Sequence, residues 1–514
     1  VVNSGEWYVE GFNGFGFTND ELYNTGLIAA NTQTDGSVTI FAGLDLLDND
    51  GGTISQLDDD PTDLLVTTGD YFGGSASGEY WIDAFLTADG ALIEADLLVI
   101  GGEASGVTYV SVNNTNGQPV GYDPDGVLII GVGSTGVEAG DTFQIAEPVD
   151  VGFFEYFVDY EPVGAVFNEE FYLRNRLSPR AEELPRLTTA TQELFHISNE
   201  TWLQRTADIR IFTNPGVGTM DAAVNRAESG YTDGSPGFWL RGWGSWLERD
   251  RNIRINTGMG QVDYDGGYDQ DSWGVQAGID FPLTQPNNPG GTFVLGALVG
   301  YADSRIDFHD SRSRADIDGF QVGVYGTYML DGFFVDLLLK AEFLDLDYRT
   351  NFGAGVDRDS TSVTNLGAVL DTGYRFDFDG FFFEPQGTLA YVHSDMGNLD
   401  LLESDVSLSN EDSLRGRLGV RIGGRFMPTS ATVIEPFVGI SLWHEFLGDN
   451  DATLTSNGTS FSLRDDAGDT WGVATAGVNI VDFGSGMSGF VQGDYRFGGH
   501  TDGISGQAGL RVNF

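Results

Sequence analysis

Cysteine is absent from all 514 residues, which excludes disulfides, thiolate metal sites and thiol nucleophiles. Lysine occurs once, at Lys340, and the net charge is −52. Nucleic acid is thereby excluded as a partner, because a phosphate-binding surface needs excess positive charge. No run of 18 apolar residues exists, so no transmembrane helix can be drawn. The five histidines, His196, His309, His393, His444 and His500, all lie in the later part of the chain. A Ser-His-Asp site is therefore excluded from the first 177 residues. No Gly-x-Ser-x-Gly element is supported by a histidine, and neither an enzymatic activity nor a cofactor is expected. A chain that opens on Val1 without a signal segment is expected to be a processed or truncated product.

Against these absences stand 73 glycines, only 15 prolines and 12% aromatic residues, a composition of strands and tight turns rather than disorder. The last stretch shows it best. Ile504, Gly506, Ala508, Leu510 and Val512 alternate with Ser505, Gln507, Gly509, Arg511 and Asn513, and the chain ends on Phe514. Strict period two predicts a strand with one apolar and one polar face. A transmembrane β-barrel needs such a strand at its seam.

Residues 1 to about 165 carry short apolar strands between polar turns, and one segment repeats: Asp63 to Gly69 and Asp96 to Gly102. Stacked rungs of a parallel β-solenoid are predicted, each covering the open face of the next. Asp48-Asn49-Asp50-Gly51 and Asp58-Asp59-Asp60 lack the full calcium-loop spacing, so they are read as solvated turns and no metal is assigned. Ser178-Pro179 predicts a helix start. Residues 187–210, with Leu187, Leu194, Trp202, Arg205 and Arg210 among polar residues, predict a helix too polar for lipid and suited to the inside of a polar pore.

From Phe238 onward twelve strands are predicted: 238–250, 268–283, 291–309, 314–330, 332–349, 360–378, 380–395, 412–427, 432–447, 468–482, 486–498 and 503–514. In the eighth, Arg415, Arg417, Arg421 and Arg425 share one face. Four arginines in phase cannot line an apolar core but can line an aqueous lumen. Glu342 and Lys340 on the fifth strand, and Glu384 and Glu435 on the seventh and ninth, fall in the same lumen phase. They are expected to face the arginines and to help grip the helix. The acidic connections near 250–267, 349–360, 396–411 and 448–467 read as external loops.

The motifs together resemble a type V, monomeric autotransporter. Ala95 to Gly106, Asp141-Thr142-Phe143, Phe154-Glu155-Tyr156 and Phe171 to Arg174 resemble a pertactin-like passenger stem. Trp239 to Gly244, Phe383 to Gln386, Trp443 to Phe446 and Asp494 to Gly498 are similar to the family's barrel strands. Gln507-x-Gly509-x-x-Val512-x-Phe514 resembles the signal read by the outer-membrane assembly machinery. The resemblance implies an all-β chain: a right-handed parallel β-solenoid stem at 1–177, a linker and pore helix at 178–235, and a 12-stranded antiparallel transmembrane barrel at 236–514. It implies export and anchoring of the chain's own N-terminal passenger at the cell surface. Implied partners are outer-membrane lipid and lipopolysaccharide, the assembly machinery and periplasmic chaperones, with a monomeric barrel. A surface adhesin anchored by its barrel, or a passive porin, are the competing readings.

Overall fold

The computed structural model describes the chain apart from residues 17–18, 31–35, 87–93, 119, 135–139, 148, 214–235, 258–259, 284–290, 352–355, 379, 430 and 514. The side chains of 76–77, 201, 204–213, 253–257 and 260–262 are also outside the described set. Phe514 and the side chains of Arg205 and Arg210 therefore lie outside the described residues.

The N-terminal part is a parallel solenoid. Gly11–Gly14, Val38–Ala42, Leu64–Thr67, Leu97–Ile100 and Val127–Val132 stack as neighbours on one face. The repeated segment pairs with itself, Leu64 against Leu97 through Thr67 against Ile100. Alternate side chains enter the core, which is built on residues such as Leu22, Phe41, Leu65, Tyr80, Leu98 and Ile130. A polar ladder runs along one inner corner: Asn3 donates to Asn24 at 2.8 Å and Asn24 to Asn49 at 2.7 Å. Each rung's amide satisfies the next, so the buried groups carry no desolvation debt. An antiparallel end, Phe154–Glu161 and Glu169–Leu177, closes the stack by pairing onto Val127–Val132.

A helix follows. Ser178 caps it, with Oγ accepting from the Arg180 amide and Pro179 in the first turn. A short 3-10 turn, Pro179–Glu182, leads into α1, Glu183–Thr213. The helix begins four residues before the expected 187. Pro185 lies in its opening turn, where the missing N–H has no intrahelical partner to lose.

Twelve antiparallel strands among the described residues form a closed barrel. They are β1 (Gly237–Arg249), β2 (Tyr268–Pro282), β3 (Thr292–Phe308), β4 (Arg314–Leu330), β5 (Phe333–Thr350) and β6 (Asp357–Tyr374). β7 (Phe381–Met396), β8 (Glu411–Gly424), β9 (Thr432–Glu445), β10 (Thr470–Asp482), β11 (Met487–Phe497) and β12 (Thr501–Asn513) complete it. Closure pairs the first strand with the last, Gly237 with Asn513 through Arg249 with Thr501. Along β1 buried and outward residues alternate without a break. Val299, Phe320, Leu418, Val438 and Leu510 point outward, as lipid contact requires.

Three of the expected external loops carry ordered strands: in 250–267, Asn252–Thr257 pairs with Gly260–Asp265, and 396–411 and 448–467 together supply a further sheet. Leu399–Leu401, Ser404–Leu408, Asp449–Ser456 and Thr459–Asp466 make a four-stranded sheet over one mouth of the barrel. The segments are short and rich in Asp, Ser and Thr, but Leu399, Val406, Ala452 and Leu454 alternate inward and pack on the helix start and the solenoid base. Tyr122 and Phe154 of the solenoid meet Phe461 of this sheet at ring-centroid distances of 4.9 and 5.8 Å. The Tyr122 amide donates to Ser456 Oγ at 3.1 Å.

Candidate functional site

The site is the barrel lumen with α1 inside it. The helix enters at the mouth covered by the four-stranded sheet. There Glu183 accepts from Ser311 Oγ at 2.6 Å and from the Tyr348 hydroxyl. Asp465, fully buried at the end of the sheet, accepts from Arg249 at 2.8 Å and from Thr189 at 2.6 Å, and lies 3.6 Å from Arg186. Asn450 donates to Thr189 and Gln192. Toward the other end, Trp202 packs on Trp239, Leu338, Val369 and Ala390, close to where β1 begins. α1 therefore runs the length of the lumen from the sheet-covered mouth toward the end where Gly237 starts the barrel.

On the side of β2, β5 and β6 the wall takes hold of the helix backbone. Gln270 donates to the Ala190 carbonyl at 3.0 Å, Gln276 to Ser198 at 2.9 Å, Lys340 to Phe195 at 3.2 Å and Asn365 to Thr191 at 3.4 Å. Helix carbonyls already occupied by i→i+4 bonds have a second lone pair free for such donors. Lys340 also pairs with Glu342 at 3.0 Å, and Glu342 accepts from Asn365 and Ser198.

On the side of β8 to β11 the grip is ionic. Arg415 bridges Glu193 of the helix and Glu445 of β9, both at 2.8 Å. Arg496 reaches Glu193 at 2.9 Å. His196 contacts Ser413, which donates to Glu445 at 2.6 Å. Trp443 and Trp471 stack in parallel with centroids 6.2 Å apart. The guanidiniums of Arg415 and Arg496 lie over Trp471, and that of Arg417 over Trp443. Such stacking suits arginine, which is weakly hydrated and planar.

The expected arginine row thus divides. Arg415 reaches the helix. Arg421 pairs with Glu384 at 3.6 Å, Arg425 with Glu435 at 2.8 Å, and Arg417 lies 3.7 Å from Asp371. On β5, Glu342 pairs with Lys340 two residues away on its own strand. Leu187 and Leu194 are buried against the wall. Gln507, Gly509 and Arg511 face inward on β12 and Val512 faces outward. Arg511 is held by Asp280, whose carboxylate also accepts from Tyr325 at 2.7 Å. The amide clamps Gln270, Gln276 and Asn365, the helix carboxylate Glu193 and the Asp465 pair were not singled out from sequence. Their lumen phase on each strand was readable, but which helix carbonyl each would meet was not.

The autotransporter β-domain family matches residues 238–494, and the autochaperone domain type 1 matches residues 42–158. The pertactin autotransporter of Bordetella bronchiseptica is 28% identical over 389 residues, covering 71% of this chain and 40% of the relative. The adhesin BmaC autotransporter of Brucella suis is 24% identical, covering 72% of this chain and 11% of its own. This chain thus spans less than half the length of these curated relatives. The crystallised β domain of the Bordetella autotransporter BrkA is 20% identical, covering 55% of this chain and all of that one, with a TM-score of 0.43. With a closed barrel of twelve strands, a helix in its lumen and a family match from the first strand into the eleventh, this chain belongs to the autotransporter β-domain family and sits in the outer membrane with its solenoid at the cell surface.

Proposed function

We propose that this chain is the translocator of a type V secretion system, which passes its own N-terminal passenger outward through the barrel and then anchors it. One observation carries the reading. The solenoid lies at the sheet-covered mouth, β1 starts at the opposite end, and α1 joins them through the lumen of a closed cylinder. Outward transport of a passenger joined to its own barrel leaves the connecting chain in the lumen in this way. The test is protease treatment of intact cells that express the chain behind a signal peptide. The solenoid is cut from outside while the barrel strands resist; a solenoid cut only after cells are permeabilised overturns the reading.

Within this reading, residues 1–177 are the retained stem of the passenger, 178–235 the linker and pore helix, and 236–514 the translocator. Gln507, Gly509, Val512 and Phe514 act as the assembly signal for the outer-membrane assembly machinery, reached with the help of periplasmic chaperones, and lipopolysaccharide surrounds a monomeric barrel. The role is transport and display rather than catalysis. Deleting Phe514 abolishes heat-modifiable barrel in outer-membrane fractions; normal levels of folded barrel refute that role. The likeness to the Brucella suis adhesin BmaC autotransporter supports adhesion as the passenger's task. Cells displaying residues 1–514 then bind a host or matrix surface, and cells displaying the barrel without residues 1–177 do not.

A further inference from the structure

The helix is fastened unevenly. Toward β2, β5 and β6 the wall and helix meet by direct hydrogen bonds, and Lys340 and Glu342 are 0% and 1% exposed. Toward β8 to β11, Arg417 and Arg496 keep 16% and 12% of their side-chain surface exposed. Inside a closed cylinder that exposure is to internal space.

The space forms a file. A cavity of about 50 Å³ lies between Glu200, Leu203, Arg417, Ser441, Thr475 and Asp494. A second, of about 30 Å³, shares Glu200, Trp443 and Asp494 with it and extends to Glu193, Arg415 and Arg496. A third, also about 30 Å³, shares Glu193, Arg415, Trp471 and Arg496 with the second and reaches Asp469, His500 and Thr501 at the loop end. A water needs roughly 10–15 Å³ of such volume and two to four polar partners. Each cavity therefore holds roughly two to four waters, and its wall of guanidinium, carboxylate and hydroxyl groups supplies the partners. Charges of both signs line the file throughout, so it solvates water without favouring cations or anions.

We infer that the lumen carries a continuous water file between α1 and strands β8 to β11, and that the plugged barrel conducts water while retaining larger solutes. The inference rests on the helix being a resident plug, and its test separates the two. The full chain is reconstituted into vesicles and mixed with a sucrose gradient in a stopped-flow light-scattering instrument. Wild-type vesicles shrink faster than protein-free vesicles and stay shrunken. Ser441→Met and Thr475→Leu, each filling the first cavity, bring shrinkage down to the protein-free rate, while Ser441→Ala keeps or raises it. Heat-modifiable migration identifies which variants are folded, and the comparison is made on those. Wild-type shrinkage at the protein-free rate overturns the water file, as does unchanged fast shrinkage in both filled variants. Rapid reswelling, which means that sucrose enters, instead overturns the plug reading.

Discussion

The first 173 residues hold no lysine, arginine or histidine, yet Asp63 and Asp96 are buried in the solenoid. Asp96 accepts the Asp63 amide at 3.0 Å and the Asp83 amide at 2.8 Å. Burial outweighs those bonds and pushes its carboxyl up to about 8, and burial likewise lifts Asp63 to about 6. Both values lie above the unfolded reference of about 3.9. The solenoid is therefore most stable below about pH 4 on this account, and loses stability as pH rises through 6 and then 8. Thermal unfolding together with solenoid hydrogen exchange at pH 5 and pH 8 checks the sign: relative to the intrinsic base-catalysed rate, protection is lower at pH 8. Asp96→Asn flattens the upper part of this dependence and costs about 1–3 kcal/mol at acid pH, because the Asn amide faces one of the two donors. In the lumen, Arg415→Ala leaves Glu193 and Glu445 short of a buried partner, which costs about 3–5 kcal/mol. It lowers the temperature at which the folded barrel form is lost on gels, whereas Arg425→Ala, near the rim, shifts it less. The arginine phase was legible because a strand has period two. The pairings were not, because they depend on the register between neighbouring strands.

Among elements, the twelve strands were readable to within a few residues because each lies between lipid and lumen and must alternate over its whole length. The helix was readable as a gap in glycine and proline, except at Pro185, where position in the first turn decides tolerance. The sheet over the mouth was hidden, since its four short strands bury one side on elements distant in sequence and are otherwise as acidic and hydroxylic as loops. Phe461→Ala at this sheet removes the ring that Tyr122 and Phe154 pack against, a cost of about 2–4 kcal/mol. It makes the solenoid–barrel junction more sensitive to added protease without altering barrel migration. The cysteine-free background also offers a clean test of the helix position. His196 and Ser413, in contact at 2.9 Å, are replaced by cysteines and treated with a short bis-methanethiosulfonate, which forms a disulfide with each thiol and releases sulfinate. The folded protein crosslinks in high yield, and a protein in which neither thiol finds the other contradicts the lumen placement.

At the scale of the whole molecule, charge divides the chain. Up to residue 173 the solenoid carries carboxylates and no basic side chain, while the barrel interior pairs arginines with carboxylates at close range. Repulsion among surface carboxylates falls with ionic strength over a screening length of about 10 Å at 0.1 M salt. Raising sodium chloride therefore stabilises the solenoid more than the barrel, and differential scanning calorimetry shows the solenoid transition moving up while the barrel transition stays nearly fixed.

The clamps on α1 have a mechanical consequence. Gln270, Gln276, Lys340 and Asn365 on one side, and Arg415 and Arg496 on the other, meet the helix from the wall at several heights along the lumen. A pull on the solenoid acts along the helix axis and so loads all of these bonds at once, in shear, rather than opening them one after another. Tension at the cell surface is thus shared across the barrel wall, and the rupture force of the tether is set by the set of clamps as a whole, not by its weakest bond.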